Sequence, residues 1–275
     1  TRSESRTLRT HSSVRKPAPV LAVCLGVAVA GCSSDDSADS ADSSGTFYGQ
    51  STDIGNGSAR TFVALDAEGN PSEVGIRLTE AALDGLPEHQ GKPAEVFTLE
   101  FPEQVSGTPF EFATLDWNNH GHEPAGLFDK PHFDSHYFMM DEEKVAAIVP
   151  SDPDFAAKAA KLPEPQYVPK DYVPAPVPAV PQMGAHWVDS TAGLAPGADF
   201  TQVFINGSWD GEYNFLEPMM TRDWLLTKPS LTEDIKQPQA YQKSGYYPTV
   251  YSVAFDDEAD EYVFTLGGMT HRDES

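Results

Sequence analysis

Seven prolines crowd the stretch from Pro163 to Pro181, and no helix or central strand can run through them. Proline fixes φ near −65° and lacks the amide donor that either structure needs. Pro163, Pro165, Pro169, Pro174, Pro176, Pro178 and Pro181 therefore predict an extended, partly polyproline-like segment. Histidines flank it on both sides, which favours a strap over one domain rather than a linker between two. Before it, Thr61–Asp66 and Val74–Leu78 flank Glu68-Gly69-Asn70-Pro71 and read as a hairpin. Glu95–Phe101, Phe110–Asp116 and His132–Met140 alternate as strands. Glu80–Leu86, Glu142–Val149 and Phe155–Lys161 read as short helices, two of them stopped by Pro87 and Pro150. Beyond it, Ala185–Val188, Thr201–Ile205 and Tyr213–Leu216 read as strands. The last two are expected to be joined by a loop holding Asn206-Gly207 and Asp210-Gly211. A short helix at Thr221–Leu226 and a hairpin of Val250–Phe255 with Glu261–Leu266 follow. The expected fold is α+β: one β-rich domain of short antiparallel strands, a few short helices and the Pro-rich strap.

The first 31 residues read as an address rather than a fold. Arg2, Arg6, Arg9, Arg15 and Lys16 precede an apolar run from Ala18 to Ala30, too short to span a bilayer comfortably. The run ends Val29-Ala30-Gly31-Cys32, which resembles the lipobox of bacterial lipoproteins. Cleavage would fall before Cys32, the thiol would carry lipid, and two acyl chains make a stable anchor. Residues 32–46 form a Ser/Asp tether without apolar residues large enough to order it. The globular domain is expected over residues 47–275, on the extracytoplasmic face of the cell envelope. The chain has two cysteines. Cys24 lies in the leader and Cys32 takes lipid, so disulfides, thiolate metal ligands and a cysteine nucleophile are excluded from the mature protein.

The charge narrows the partners. The chain carries 42 Asp+Glu against 18 Lys+Arg, and the leader holds five of the basic residues and one acid. The mature surface is more acidic than the whole chain, which excludes nucleic acid as a partner. A salt-tolerant source and an ordinary acidic secreted protein both fit this surface.

Five of the eight histidines stand in three phrases: His120-Gly-His122-Glu123-Pro124, Pro131-His132-Phe133-Asp134-Ser135-His136 and Met183-Gly184-Ala185-His186-Trp187. Imidazole is the commonest protein metal ligand. On a strand, His132, Asp134 and His136 share one face. His120, His122, His132, His136 and His186 are the candidate ligands for a divalent metal, with Zn²⁺ and Fe²⁺ the best fits to an all-nitrogen and oxygen set. Glu123 and Asp134 are candidate acceptors that orient imidazoles. Glu217 is a candidate ligand or general base, and Phe128 and Trp187 are candidate pocket walls. His89 and His271 read as solvated surface groups. The helical zinc-protease spacing is absent, the cupin spacing fails at Glu123, and neither a phosphate-binding glycine loop nor a nucleophile elbow occurs. A metal-free polar pocket is the competing reading of the same cluster.

At these phrases the chain resembles a known family. The three phrases, with Glu217-Pro218-Met219-Met220-Thr221, are similar to uncharacterised bacterial secreted proteins and lipoproteins. One of these, in Thermus, is under extracytoplasmic sigma-factor control. The resemblance runs from about Phe47 to Leu226. It implies that the phrases and Glu217 belong to one site, in an oligomer-forming envelope protein, and it carries no settled activity. Ser135 stands where the family usually has a large apolar residue. Three readings follow: a lipid-anchored envelope protein whose histidine pocket binds a divalent metal, a small molecule or both; a metal-dependent hydrolase or oxygenase using Glu217; or a structural assembly protein.

Overall fold

Alternation of apolar and polar residues at a period of two gives each strand one face to bury, and the chain stacks two such faces. The computed structural model describes residues 44–88 and 94–275. The leader, Cys32 and His89 lie outside the described residues. In chain order the strands are β1 (Gly45–Tyr48), β2 (Thr52–Ile54), β3 (Gly57–Leu65), β4 (Pro71–Thr79), β5 (Glu95–Glu100), β6 (Phe112–Asn118), β7 (His132–Phe138), β8 (Tyr172–Pro174), β9 (Ala185–Asp189), β10 (Gln202–Trp209), β11 (Glu212–Thr221), β12 (Leu231–Asp234), β13 (Gly245–Tyr247), β14 (Val250–Asp256), β15 (Glu261–Gly267) and β16 (Thr270–Arg272). The α-helices are α1 (Glu142–Ala146), α2 (Phe155–Ala160) and α3 (Arg222–Leu225), none longer than six residues.

Among the described residues the first sheet runs β1-β3-β4-β15-β14-β12, with β2 also on β3. The second runs β5-β6-β7-β11-β10-β9-β8, and β13 with β16 form a separate pair. The strand pairings are antiparallel. The inner faces of the two large sheets share one core. Val63, Val74, Ile76 and Phe264 of the first sheet pack with Leu115, Phe133, Tyr137 and Leu216 of the second. The Tyr137 hydroxyl donates to the Phe264 carbonyl across the interface at 3.3 Å.

The expected hairpin of β3 and β4 is present, as is that of β14 and β15. The helical reading at Glu80–Leu86 shrinks to a single 3-10 turn, Glu80–Leu83. The first strand starts at Gly45, inside the span expected to be tether, because residues 45–48 pair with 62–65 of β3. Of the proline-rich segment, Tyr172–Pro174 forms β8 at the outer edge of the second sheet. An edge is where a sheet tolerates proline. The expected loop at Asn206-Gly207 is not a loop. Both residues lie inside β10, and the reversal to β11 is made by Asp210 and Gly211 alone, each at positive φ (51° and 87°). Two positive-φ residues match the twist of the flanking strands, the usual geometry of a two-residue hairpin.

Candidate metal centre

Burying Phe133 and Tyr137 in the inter-sheet core turns the other face of β7 outward, away from the first sheet. That face carries His132, Asp134 and His136. The neighbouring strand β6 places Asn118 opposite His132, Asp116 opposite Asp134 and Thr114 opposite His136. On the other side, the register Leu216↔Tyr137 and Met219↔Asp134 sets Glu217 of β11 beside His136. His186 of β9 pairs with Gly207, which pairs with Phe215. The sheet thus lines up polar groups from four strands on one buried face.

Gly207 makes that line continuous. A Cβ there would overlap the Phe215 ring, so the missing side chain lets this ring lie down across β10. The ring then packs edge-on against His136 at 5.0 Å and His186 at 5.2 Å. Gly207→Ala is expected to push Phe215 off both imidazoles and destabilise the fold by about 1–3 kcal/mol. A urea titration checks this; unchanged stability would show that Phe215 is not held there.

His122 comes from the loop between β6 and β7. Gly121, at φ 69°, lets this loop fold back, and a Cβ at 121 would overlap the Phe128 carbonyl oxygen. The His122 amide donates to that carbonyl at 3.0 Å. Phe128 then lies beside His122 (5.6 Å between ring centres) and packs edge-on against Phe200 at 5.0 Å. Phe200 in turn packs edge-on against His132 at 5.2 Å. Phe128 and Phe200 pack with Leu127 and with Met219 of β11 in one apolar cluster beside these imidazoles.

Two three-residue groups result: His122, His132 and Asp134; and His136, His186 and Glu217. In each, one ligand atom per residue lies within 4.8 Å of the others, a geometry able to hold a metal ion. In the first group, His132 Nδ1 donates to the Lys130 carbonyl at 2.6 Å and His122 Nδ1 to the Glu123 carbonyl at 2.7 Å. A carbonyl can only accept, so both Nδ1 atoms carry protons and both Nε2 atoms face the carboxylate. His132 Nε2 stands 3.0 Å from Asp134 Oδ1, and His122 Nε2 stands 3.2 Å from Asp134 Oδ2. Asn118 Nδ2 donates to the same Oδ2 at 2.7 Å. Orientation of a ligating imidazole through its other nitrogen is the usual support of a protein metal site.

In the second group His136 is bracketed. Its Nδ1 lies 3.3 Å from Asp116 Oδ2 and from Thr114 Oγ1, and its Nε2 lies 3.4 Å from Glu217 Oε1. His186 Nε2 lies 3.5 Å from Glu217 Oε2. Among the described residues, Asp116 Oδ1 and Oδ2, His132 Nε2, Asp134 Oδ1, His136 Nε2, His186 Nδ1 and Glu217 Oε2 are buried without a well-directed hydrogen bond. Each such atom costs about 1–3 kcal/mol unless something else satisfies it.

The electrostatics follow from the packing. Burial opposes charge on His122, but its bond to Asp134 outweighs that and raises its pKa to about 9. His136 is likewise opposed by burial and raised to about 9 by Glu217 and Asp116. Burial pushes Asp134 up, yet the imidazoles of His132 and His122 hold it well below the usual carboxylate range. Burial lowers His186 to about 3, helped by the charges on His136 and His122. Burial raises Glu217 to about 8 despite His136, with Asp134 adding to the rise.

Not every expected site residue joins the cluster. His120 is exposed on the turn before Gly121 and belongs to neither group. The Glu123 carboxylate is exposed and accepts from the Ala125 amide at 2.8 Å; only its backbone carbonyl reaches an imidazole. Asp134 lies in direct contact with two imidazoles rather than behind them. Trp187 follows His186 on β9 and so faces the other way, where its indole donates to Ser208 Oγ at 2.8 Å. Phe128 does lie over the site. His271 is exposed near the C-terminus, as expected. Asp116, Thr114 and Asn118 were not among the expected residues. Their signal was legible, since Thr114, Asp116 and Asn118 repeat on β6 the same i, i+2, i+4 polar pattern as β7.

Neither the curated proteins nor the solved structures contain a match to this chain. A family described as TTHB210-like (hypothetical protein TTHB210) matches residues 66–117. That stretch begins just after β3 and ends at Trp117 within β6, and it includes Thr114 and Asp116 but none of the four converging histidines. Over those residues the chain is similar to that hypothetical protein.

Proposed function

We propose that this protein is a lipid-anchored component of the cell envelope that binds a divalent metal ion through the imidazoles and carboxylates on the outer face of its second sheet. One observation carries the reading. Two histidines, each with Nδ1 committed to a backbone carbonyl, turn their Nε2 atoms onto the same buried carboxylate. Lone pairs facing a carboxylate repel it unless a cation stands between them, and a divalent metal or a pair of protons fills that role. The donor set is nitrogen and oxygen only. Two histidines and one carboxylate suit Zn²⁺ or Fe²⁺ far better than Mg²⁺ or Ca²⁺, which prefer all-oxygen cages.

The test is metal analysis of the purified mature protein. The expected result is at least one Zn or Fe per chain, lost in the His132→Ala, His186→Ala double variant. Equal metal content in the variant ends the reading. The anchor is tested separately: Cys32→Ala is expected to move the protein from the membrane fraction to the soluble fraction, and continued membrane association contradicts it.

A second reading is a metal-dependent hydrolase or oxygenase. It is favoured by the size of each group, because three protein ligands leave a coordination position for water or substrate, whereas structural zinc is closed by four. A small-molecule ligand would bind at the same open position. Glu217 stands between two imidazoles, so in this reading it serves as a ligand before it serves as a base.

A further inference from the structure

We infer that the centre holds two divalent ions side by side, with the Asp116 carboxylate orienting His136 of the second group. The inference rests on the metal-binding function proposed above. Its first support is that the two ligand groups are complete and have no residue in common. Each offers two imidazoles and one carboxylate. β7 serves both, Asp134 in one group and His136 in the other, and one two-residue strand step separates them by about 6.6 Å.

The second support is the distribution of unpaired atoms. His132 Nε2 and Asp134 Oδ1 are buried and unpaired in the first group; His136 Nε2 and Glu217 Oε2 are so in the second. An ion in one group leaves the unpaired atoms of the other unanswered. The third support is Asp116, which belongs to neither group. It is 1% exposed, and neither of its oxygens has a well-directed hydrogen bond. It sits directly opposite Asp134 in the β6–β7 register, and its Oδ2 lies 3.3 Å from His136 Nδ1. A buried carboxylate on the Nδ1 side turns His136 Nε2 toward Glu217 and the second ion, the support a ligating imidazole takes through its other nitrogen.

The experiment is equilibrium dialysis of the mature protein against Zn²⁺ and, separately, Co²⁺, followed by elemental analysis and low-temperature magnetic resonance of the Co²⁺ form. The expected result is two ions per chain in the wild type. His122→Gln and His186→Gln each retain one, and Asp116→Asn weakens binding of the second-group ion by about tenfold or more. The Co²⁺ wild type shows magnetic coupling between two neighbouring ions, which either single-group variant abolishes. Should His186→Gln fail to fold, Glu217→Gln reports on the same group, and the coupling in unaltered protein needs no variant. One ion per chain in the wild type overturns the two-ion inference and leaves the metal-binding proposal standing. No ion overturns both. Two ions without coupling overturn their side-by-side placement, and two ions indifferent to Asp116→Asn overturn the orienting role of Asp116.

Discussion

Saturating Zn²⁺ is expected to raise the midpoint of thermal unfolding of the mature protein by roughly 8–16 °C. A ligand that binds only the folded state at about 1,000 times its dissociation constant stabilises by about 4 kcal/mol. In a domain of this size each kcal/mol moves the midpoint by roughly 2–4 °C. The effect should be large because the ligand atoms come from separated stretches, residues 122–136, 186 and 217, which meet only after folding. An unfolded chain offers them singly. A chelator should reverse the shift. The His132→Ala, His186→Ala double variant removes one imidazole from each group and should show no shift at all. Differential scanning calorimetry with and without Zn²⁺ decides it; equal midpoints in the wild type would mean that the cluster binds protons and nothing heavier.

The second large effect is a change in the sign of pH dependence on metal loading. In metal-free protein His122 and His136 have pKa values of about 9, raised from 6.5 by the carboxylates around them. A raised histidine stabilises the fold below its unfolded pKa, and that contribution is lost as pH climbs toward the folded value. Between pH 6.5 and 9 the metal-free protein should therefore lose stability, by up to about 1.4 kcal/mol per pH unit for each imidazole. Glu217, raised to about 8, works in the same direction up to that pH. His186, lowered to about 3, acts only below pH 6.5, where the unfolded chain takes up its proton and the folded one does not. Metal loading reverses the trend above neutrality. A metal displaces the protons on His122 and His136, so its affinity rises with pH and stability rises with it. Unfolding midpoints at pH 6.5, 7.5 and 8.5, in chelator and in Zn²⁺, should give slopes of opposite sign. Parallel slopes would place the bound metal elsewhere on the molecule.

The elements legible in the sequence are those whose pattern spans a whole strand. β3, β4, β14 and β15 alternate over seven to nine residues and are bounded by turn residues, so the residues alone announce their pairing. Strands such as β2, β12 and β16 are not legible. They have three or four residues each and lie at edges or outside the main sheets, where little apolar surface is buried and little pattern is imposed. Gly207 misleads because a glycine after asparagine is a strong turn signal. Here its lack of a side chain serves ring packing across the sheet instead, a tertiary demand that local sequence does not announce.

The histidine phrases are legible as a site because alternation alone puts His132, Asp134 and His136 on one face. Their division into two groups is not. That depends on the β7–β11 register, which sets Glu217 beside His136, and on the fold-back of the loop after β6, which brings His122 to Asp134. His120 stands two residues from His122 and looks equivalent to it in sequence, yet the turn at Gly121 leaves it in solvent. Asp116 stands in plain view on an alternating strand, but nothing within β6 says that its neighbour across the ladder is another buried acid.

X-ray absorption at the metal edge of the Zn²⁺- or Fe²⁺-loaded protein reads the ligand atoms themselves. A first shell of nitrogen and oxygen only, with the outer-shell scattering of about two imidazoles per ion, is the predicted spectrum. A shell of oxygen alone, or one containing sulfur, would mean that the imidazoles gathered on the second sheet do not hold the metal.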